Sequence, residues 1–343
     1  KTAPVIIAAM QRELEHGVFG YSAPLPGLVE ITVDYLAARY GWQIEPDWLV
    51  WFPGVVPGMA ACCRISGEPG DEVIAMPPVY HYIMSVAESA NRRRVDARLR
   101  EVDGRWTLDF GAIEASIGPR TRVMLLCHPH NPVGTVFTPD ELRRLAELCA
   151  ERDVLLVSDE IHCDLILDRD VRHTPAALAS PGTQDNIVTL MAPSKTFNLA
   201  GNNCSFAVIS DPELRSRYHA AIDANMPLVG SLGFAAARAA YGEAAAWHTA
   251  LLDYLRGNRD LLQSEIDTIP GLSMGHLSAT YLAWVDVNQL QTDDAHALFL
   301  QHGLGFSNGA QFGDGNYQRI NFACTRANLV EAIRRIKNAV GVV

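Results

Sequence analysis

Three short runs carry almost nothing but apolar side chains: Val123-Met124-Leu125-Leu126, Val154-Leu155-Leu156-Val157 and Ile187-Val188-Thr189-Leu190. Runs of this length without alternation predict strands buried on both faces. Residues 73–76 and 204–209 read the same way. Between these runs the apolar spacing changes to that of a helix. Thr138-Pro139-Asp140-Glu141 is a capping box with proline in the first turn, and it opens a helix reaching Arg152. Leu142, Leu145, Leu148 and Cys149 form its buried face. Further helices are predicted over 4–16 (Val5, Ile6, Ala9, Met10 and Leu14 on one face), 28–40, 54–67 and 80–89. Another follows the cap Asp211-Pro212-Glu213. Buried strands alternating with amphipathic helices imply an α/β fold, a mostly parallel sheet sandwiched by helices. From residue 235 the pattern changes. A long helical stretch reaches Ile266, short strands follow at 281–285 and 319–322, and a last helix carries Leu329, Ile333, Ile336 and Val340. A large domain over 1–235 and a smaller α+β domain over 236–343 are the expected division.

The three most apolar runs each end in polar residues. The first leads into Cys127-His128-Pro129-His130-Asn131-Pro132-Val133-Gly134. The second leads into Ser158-Asp159-Glu160-Ile161-His162-Cys163-Asp164, and the third into Ala192-Pro193-Ser194-Lys195-Thr196-Phe197-Asn198. In open α/β sheets ligands sit at the carboxyl ends of strands, so Asn131, Asp159 and Lys195 are candidates to converge on one ligand. Desolvation disfavours an ammonium and leaves a nucleophilic amine near neutral pH. An amine at such a strand end suits a Schiff base with a carbonyl compound.

The ordered series Asn-Pro-Val-Gly, Ser-Asp-Glu-Ile-His, Pro-Ser-Lys-Thr-Phe-Asn and Arg319-Ile320-Asn321-Phe322-Ala323 resembles the fold-type I pyridoxal-phosphate enzymes of the aspartate-aminotransferase superfamily. Within it the chain is similar to the MalY/PatB-type cystathionine β-lyases, from Gly17-Val18-Phe19-Gly20-Tyr21 to Ala323. The resemblance implies pyridoxal 5'-phosphate as cofactor, held by Lys195, with Asp159 on the pyridinium nitrogen and Asn131 and His162 near the ring oxygen. Tyr80 would stack on the ring. Arg319, with Asn131 beside it, would clamp the carboxylate of an amino-acid substrate in a two-pronged pair.

For the phosphate, the resemblance points to Val56 and Pro57 at the start of a helix, to Ser194, and to Tyr21 reaching over from a neighbouring subunit. Tyr21 thereby joins Lys195 and Asp159 as a catalytic candidate and implies a homodimer with shared sites. Pro57 has no amide hydrogen, so it marks the first helical position, and Gly58 and Met59 become the candidate donors. One position departs from the family pattern. Many relatives carry an arginine two residues after the glycine that closes the lysine segment, and here Asn203 stands in that place. The lyase subgroup often lacks this arginine too.

Composition narrows the classes. The 343 residues, 48% of them hydrophobic, suffice for a large core. A net charge of −11 argues against nucleic acid and anionic membranes as partners. No stretch approaches the roughly 18 apolar residues of a membrane span. The opening Lys1-Thr2-Ala3-Pro4 has no signal-peptide pattern, and the resemblance implies a further segment ahead of it that helps close the pocket. Seven cysteines without paired spacing read as reduced thiols of a cytoplasmic protein. Asp159, Glu160, His162, Cys163 and Asp164 are metal-ligand types, but their spacing follows no zinc pattern. His128 and His130 read as loop packing beside the pocket, and Arg92-Arg93-Arg94 as a solvated face. Ser158 and Ser194 lack the Gly-x-Ser-x-Gly elbow of a hydrolase. The expected reaction is β-elimination at a carbon–sulfur bond of cystathionine, cysteine or a cysteine S-conjugate. An aminotransferase is the alternative, since both use the same residues. A regulatory role is a third reading.

Overall fold

The computed structural model describes residues 1–342. In chain order the elements are α1 (Pro4–His16), α2 (Leu28–Tyr40), β1 (Leu49–Phe52), α3 (Val55–Ile65), β2 (Glu72–Ala75), α4 (His81–Ser89) and β3 (Arg93–Asp96). A hairpin of β4 (Arg100–Val102) and β5 (Arg105–Thr107) leads through α5 (Phe110–Ser116) to β6 (Thr121–Cys127), α6 (Pro139–Glu151), β7 (Leu155–Asp159), α7 (Ala176–Ala179) and β8 (Ile187–Met191). Then come β9 (Ser205–Val208), α8 (Pro212–Asn225), α9 (Ser231–Glu243), α10 (Ala245–Ile266), β10 (Ser273–Met274), β11 (Leu282–Asp286), α11 (Ala295–Gln301), β12 (Ser307–Asn308), β13 (Tyr317–Asn321) and α12 (Arg326–Ala339).

The unalternating runs of the sequence become the centre of a seven-stranded sheet of order β1-β9-β8-β7-β6-β2-β3. Every residue of β7 and β8 is buried, as strands covered on both faces require. The pairs β2–β3, β2–β6, β6–β7 and β7–β8 are parallel, whereas β9 runs against both β8 and β1. Six strands therefore point one way and deliver their carboxyl ends to one edge. A second, antiparallel sheet of order β10-β11-β13-β12 has its own core, built with α10 and α12 around Leu262, Phe299, Phe322 and Ile333. The capping box of α6 is complete, with Thr138 Oγ1 accepting from the Glu141 amide and the Glu141 carboxylate accepting from the Thr138 amide.

Four expectations need correction. The predicted helix running to Ile266 breaks at Ala244 into α9 and α10, and position 235 falls inside α9, which packs on α1 and α2. Leu14 is exposed, because the packed face of α1 stops at Met10: Ile6 and Ala9 are buried and Val5 and Met10 pack partly buried beside them. Val340 lies just past the end of α12 as its cap, and from there it packs partly buried on the same core as Leu329, Ile333 and Ile336. Arg92 is buried and donates to the carbonyls of Arg64, Ser66, Gly67 and Ala90. It ties α3 to β3, and only Arg93 and Arg94 behave as the outer face of an edge strand, pairing with Glu72 and Asp96.

Candidate active site

At the carboxyl edge of the large sheet lies a cavity of about 550 Å³. β1 ends at Phe52 and leads into Gly54, Val55, Val56 and Pro57 at the start of α3; Tyr80 and His81 follow β2. Asn131 follows β6, Asp159 is the last residue of β7, and Ser194 and Lys195 follow β8. The reversed strand β9 begins at the same edge, so Asn203, Cys204 and Ser205 close that side. Arg319 and Asn321 come from β13 and Tyr281 from the approach to β11, so the cavity lies between the two sheets.

Nine of the ten site residues expected from the sequence line this one cavity: Val56, Pro57, Tyr80, Asn131, Asp159, His162, Ser194, Lys195 and Arg319. The tenth, Tyr21, is fully exposed and lies outside it. His81 and Tyr281 line the cavity without having stood out in the sequence. His81 adjoins Tyr80 at the first turn of α4, where its spacing reads as ordinary helix surface.

Lys195 sits in a tight turn held by backbone bonds, Phe197 N–H to the Pro193 carbonyl and Leu199 N–H to the Ser194 carbonyl (both 2.9 Å). Phe197 and Leu199 anchor that turn in a cluster with Ile6 of α1 and Ala236, Ala239 and Ala240 of α9. The sequence holds only three lysines, Lys1, Lys195 and Lys337. Of these only Lys195 reaches the cavity. Lys337 pairs with Glu265 at 2.6 Å.

Arg319 is positioned by its register on β13, opposite Trp284 of β11 and Ser307 of β12. Its guanidinium donates to Asn131 Oδ1 (3.1 Å) and Ser307 Oγ (3.2 Å) and lies 4.4 Å above the Phe312 ring. These partners are neutral, and its Nε–H is buried without an acceptor. Burial lowers its pKa from the ordinary arginine value, yet a guanidinium stays charged in proteins. Such a group awaits an anion.

The start of α3 differs from the expectation. The helix begins at Val55, so Pro57 is its third residue and not its first. The Gly58 amide already donates to the Gly54 carbonyl (3.1 Å), and Met59, the fifth residue of the helix, has its amide turned to the carbonyl one turn back. The amides left free by helix geometry are those of Val55 and Val56. A Cβ at Gly58 would run into Phe52 and the Tyr218 hydroxyl. Glycine there lets α3 lie close enough to the sheet to aim those amides into the cavity.

The arrangement suits a ligand with a carbonyl for Lys195, a flat polar ring between Tyr80 and Asp159, and anionic groups at opposite ends. The match to known proteins agrees. Residues 1–336 match the family described as aminotransferase class I and II. The chain belongs to that family.

Within it, the chain is 35% identical over 343 residues to cystathionine beta-lyase PatB of Bacillus subtilis (strain 168), covering 97% of this chain and 88% of that protein. The crystal structure of OvoB superposes with a TM-score of 0.96 at 40% identity, over 99% of this chain and 90% of the other. The structure of cystalysin from Treponema denticola, which contains a pyridoxal 5'-phosphate cofactor, gives a TM-score of 0.95 at 30% identity, over 99% and 88%. The resemblance to the MalY/PatB-type subgroup and the expected fold, a fold-type I α/β sandwich, are thus both borne out.

In this family member the site's electrostatics are dominated by burial. Burial pushes Asp159 up to about 7, against the Ile161 amide that donates to its Oδ1 (3.2 Å) and the charge of Lys195. His162 is pushed down to about 3 by burial, then by Lys195 and Arg319. Burial also pushes His128 and His173 down to about 3, and His130 to about 4. Histidines held neutral in the fold protonate near 6.5 once unfolded. Between pH 6.5 and 4 the unfolded chain then binds more protons, so stability falls as the pH falls. Asp159 and Glu160, both pushed up to about 7 by burial, act in the opposite sense over the same range but are outnumbered four to two. Thermal melts of the cofactor-free protein should therefore show the midpoint dropping by roughly 5 °C from pH 6.5 to 5. A flat or rising profile would contradict the buried, neutral placement of the four histidines.

Proposed function

We propose that the chain is a pyridoxal-phosphate-dependent carbon–sulfur β-lyase, cleaving cystathionine, cysteine or a cysteine S-conjugate to a thiol, pyruvate and ammonia. The observation that carries this reading is the meeting, in one cavity, of Lys195, Asp159 and a half-buried Arg319 whose partners are neutral. PatB and cystalysin supply the precedent by name and by bound cofactor.

The residues present fit the cofactor. Lys195 would hold it covalently, Asp159 would face the ring nitrogen, and Tyr80 would cover one ring face. Asn131 and His162 would attend the ring oxygen, and the Val55 and Val56 amides with Ser194 would receive the phosphate. Asn203, at φ 45°, adds no charge, so within this chain the phosphate would meet neutral donors. When bound, the cofactor supplies an electron sink that weakens bonds at the substrate's α-carbon. The chain's own residues do the rest. Arg319, fixed by Asn131, Ser307 and Phe312, grips the substrate carboxylate and orients the α-hydrogen. The freed Lys195 Nζ takes that proton as general base. The electron pair left behind expels the thiolate from the β-carbon, and water completes the conversion to pyruvate and ammonia.

A homodimer belongs to the same reading. Tyr21 is fully exposed beside Val18 and Phe19, with Leu228 also exposed, and a neighbouring copy would cover this apolar stretch and receive Tyr21 at its phosphate. So does the division into a large cofactor-binding unit and a small C-terminal one. The two separate sheets support it, with the boundary moved from 235 to Ala244. Seven free cysteines suit a cytoplasmic location.

Pyruvate release decides between the lyase and the aminotransferase. The purified protein, loaded with pyridoxal phosphate, should release pyruvate from cystathionine without any added keto acid. Product that forms only when a keto acid is supplied would replace the lyase by the transaminase. Consumption of neither substrate by cofactor-bound protein would favour a regulatory role.

A further inference from the structure

The tripeptide Ser158-Asp159-Glu160 alternates across the sheet at the end of β7. Asp159 lines the cavity; Ser158 and Glu160 share the opposite side, where the Ser158 hydroxyl donates to Glu160 Oε1 (2.8 Å). Glu160 is completely buried and does not line the cavity. A carboxyl group taken out of water must find partners for its oxygens. Glu160 has three. Besides Ser158, the Ala176 amide donates to Oε1 (2.9 Å), and His173 Nε2 meets Oε2 at 2.7 Å.

The contacts continue inward. The His173 ring stacks on His128 (centroids 4.5 Å apart, 27° between planes), and His128 stacks on Phe137. His128 Nε2 lies 3.2 Å from the Thr174 carbonyl, and the His128 amide donates to the Asp159 carbonyl at 2.8 Å. Three segments are thereby fastened together: the end of β6, the end of β7 and residues 173–176. The first carries Asn131, which holds Arg319, and the second carries Asp159. Burial pushes Glu160 up to about 7 and His173 down to about 3. The histidine thus stays neutral, and a single hydrogen joins the pair.

We infer that Glu160, clamped by Ser158, Ala176 and His173, is a positioning residue that holds Asp159 and Asn131 at the spacing the cofactor ring requires. This inference rests on the pyridoxal-phosphate reading of the cavity. It gives the Asp-Glu pair of the sequence two separate tasks, one carboxylate facing the ligand and the next anchoring it from behind. It also gives His128 a part beyond loop packing.

The test compares Glu160→Ala, Glu160→Gln and His173→Phe with the unsubstituted protein. Pyridoxal-phosphate affinity is read by fluorescence titration of the cofactor-free chains, kcat and KM by pyruvate release, and folding by thermal melts. Support groups that orient a reacting residue typically matter by one to two orders of magnitude. Glu160→Ala should weaken cofactor binding and lower kcat by about tenfold or more, with KM changed by less than about threefold. Glu160→Gln, which keeps the shape and one acceptor oxygen, should restore both to within about threefold. His173→Phe, which keeps an aromatic ring on His128 but drops the bond, carries the test if Glu160→Ala does not fold. A folded Glu160→Ala or His173→Phe chain that binds the cofactor and turns over like the parent overturns the inference, as does Glu160→Gln failing as badly as Glu160→Ala. A crystal structure of Glu160→Ala provides a readout free of the cofactor: the Asp159 carboxylate should move relative to Asn131, and an unmoved carboxylate overturns the inference. Failure of the unsubstituted protein to bind pyridoxal phosphate is a different result, and it ends the functional reading instead.

Discussion

Replacing Lys195 by alanine should leave the fold intact and lower pyruvate release by about three orders of magnitude or more. Borohydride should also no longer fix the cofactor to the chain. The fold should survive because the turn is held by its own backbone bonds and by Phe197 and Leu199 in the α1–α9 cluster, none of which involves the ammonium. The activity should not survive, because no other lysine of the sequence reaches the cavity. Mass analysis of the reduced protein locates the attachment directly. Retained attachment in the alanine variant would end the site assignment.

The second large effect is expected at Asp159. Burial pushes its carboxyl up to about 7. A cationic ring nitrogen arriving beside it would reverse that shift by supplying the missing counter-charge. Asp159→Asn keeps the shape but removes the charge, leaving the ring cation buried and alone. Breaking a buried pair from one side costs about 3–5 kcal/mol, so cofactor affinity should fall by roughly two to four orders of magnitude, read by titration of the cofactor-free variant. Affinity within about threefold of the parent would mean that Asp159 does not face the ring nitrogen.

Much of the site was legible in the sequence because strand ends are local features. The apolar runs mark β6, β7 and β8, and each is followed at once by the residues it delivers. What stayed hidden depends on pairing at long range. The contacts that fix Arg319 come from Ser307 and Phe312, brought to it by the pairing of β12 with β13 and by the turn between them; no spacing announces them. β3 escaped because an edge strand carries charged side chains, Arg93-Arg94-Val95-Asp96, and offers no apolar run. The helix start at Val55 was misplaced because Pro57 looks like a first-turn proline, while the free amides lie just before it. Glu160 was visible only as one of several polar letters. Its role depends on His173, thirteen positions away and folded back onto it.

The scarcity of lysine has a practical side. The chain's positive charge is carried almost wholly by arginine, which amine-directed reagents ignore. The side chains of Lys1 and of Lys337, the latter about one-third exposed, stand apart from the cavity. Coupling through side-chain amines to an activated resin would therefore engage the molecule through residues that do not line the cavity, and it should leave the crevice open for work with an immobilised catalyst.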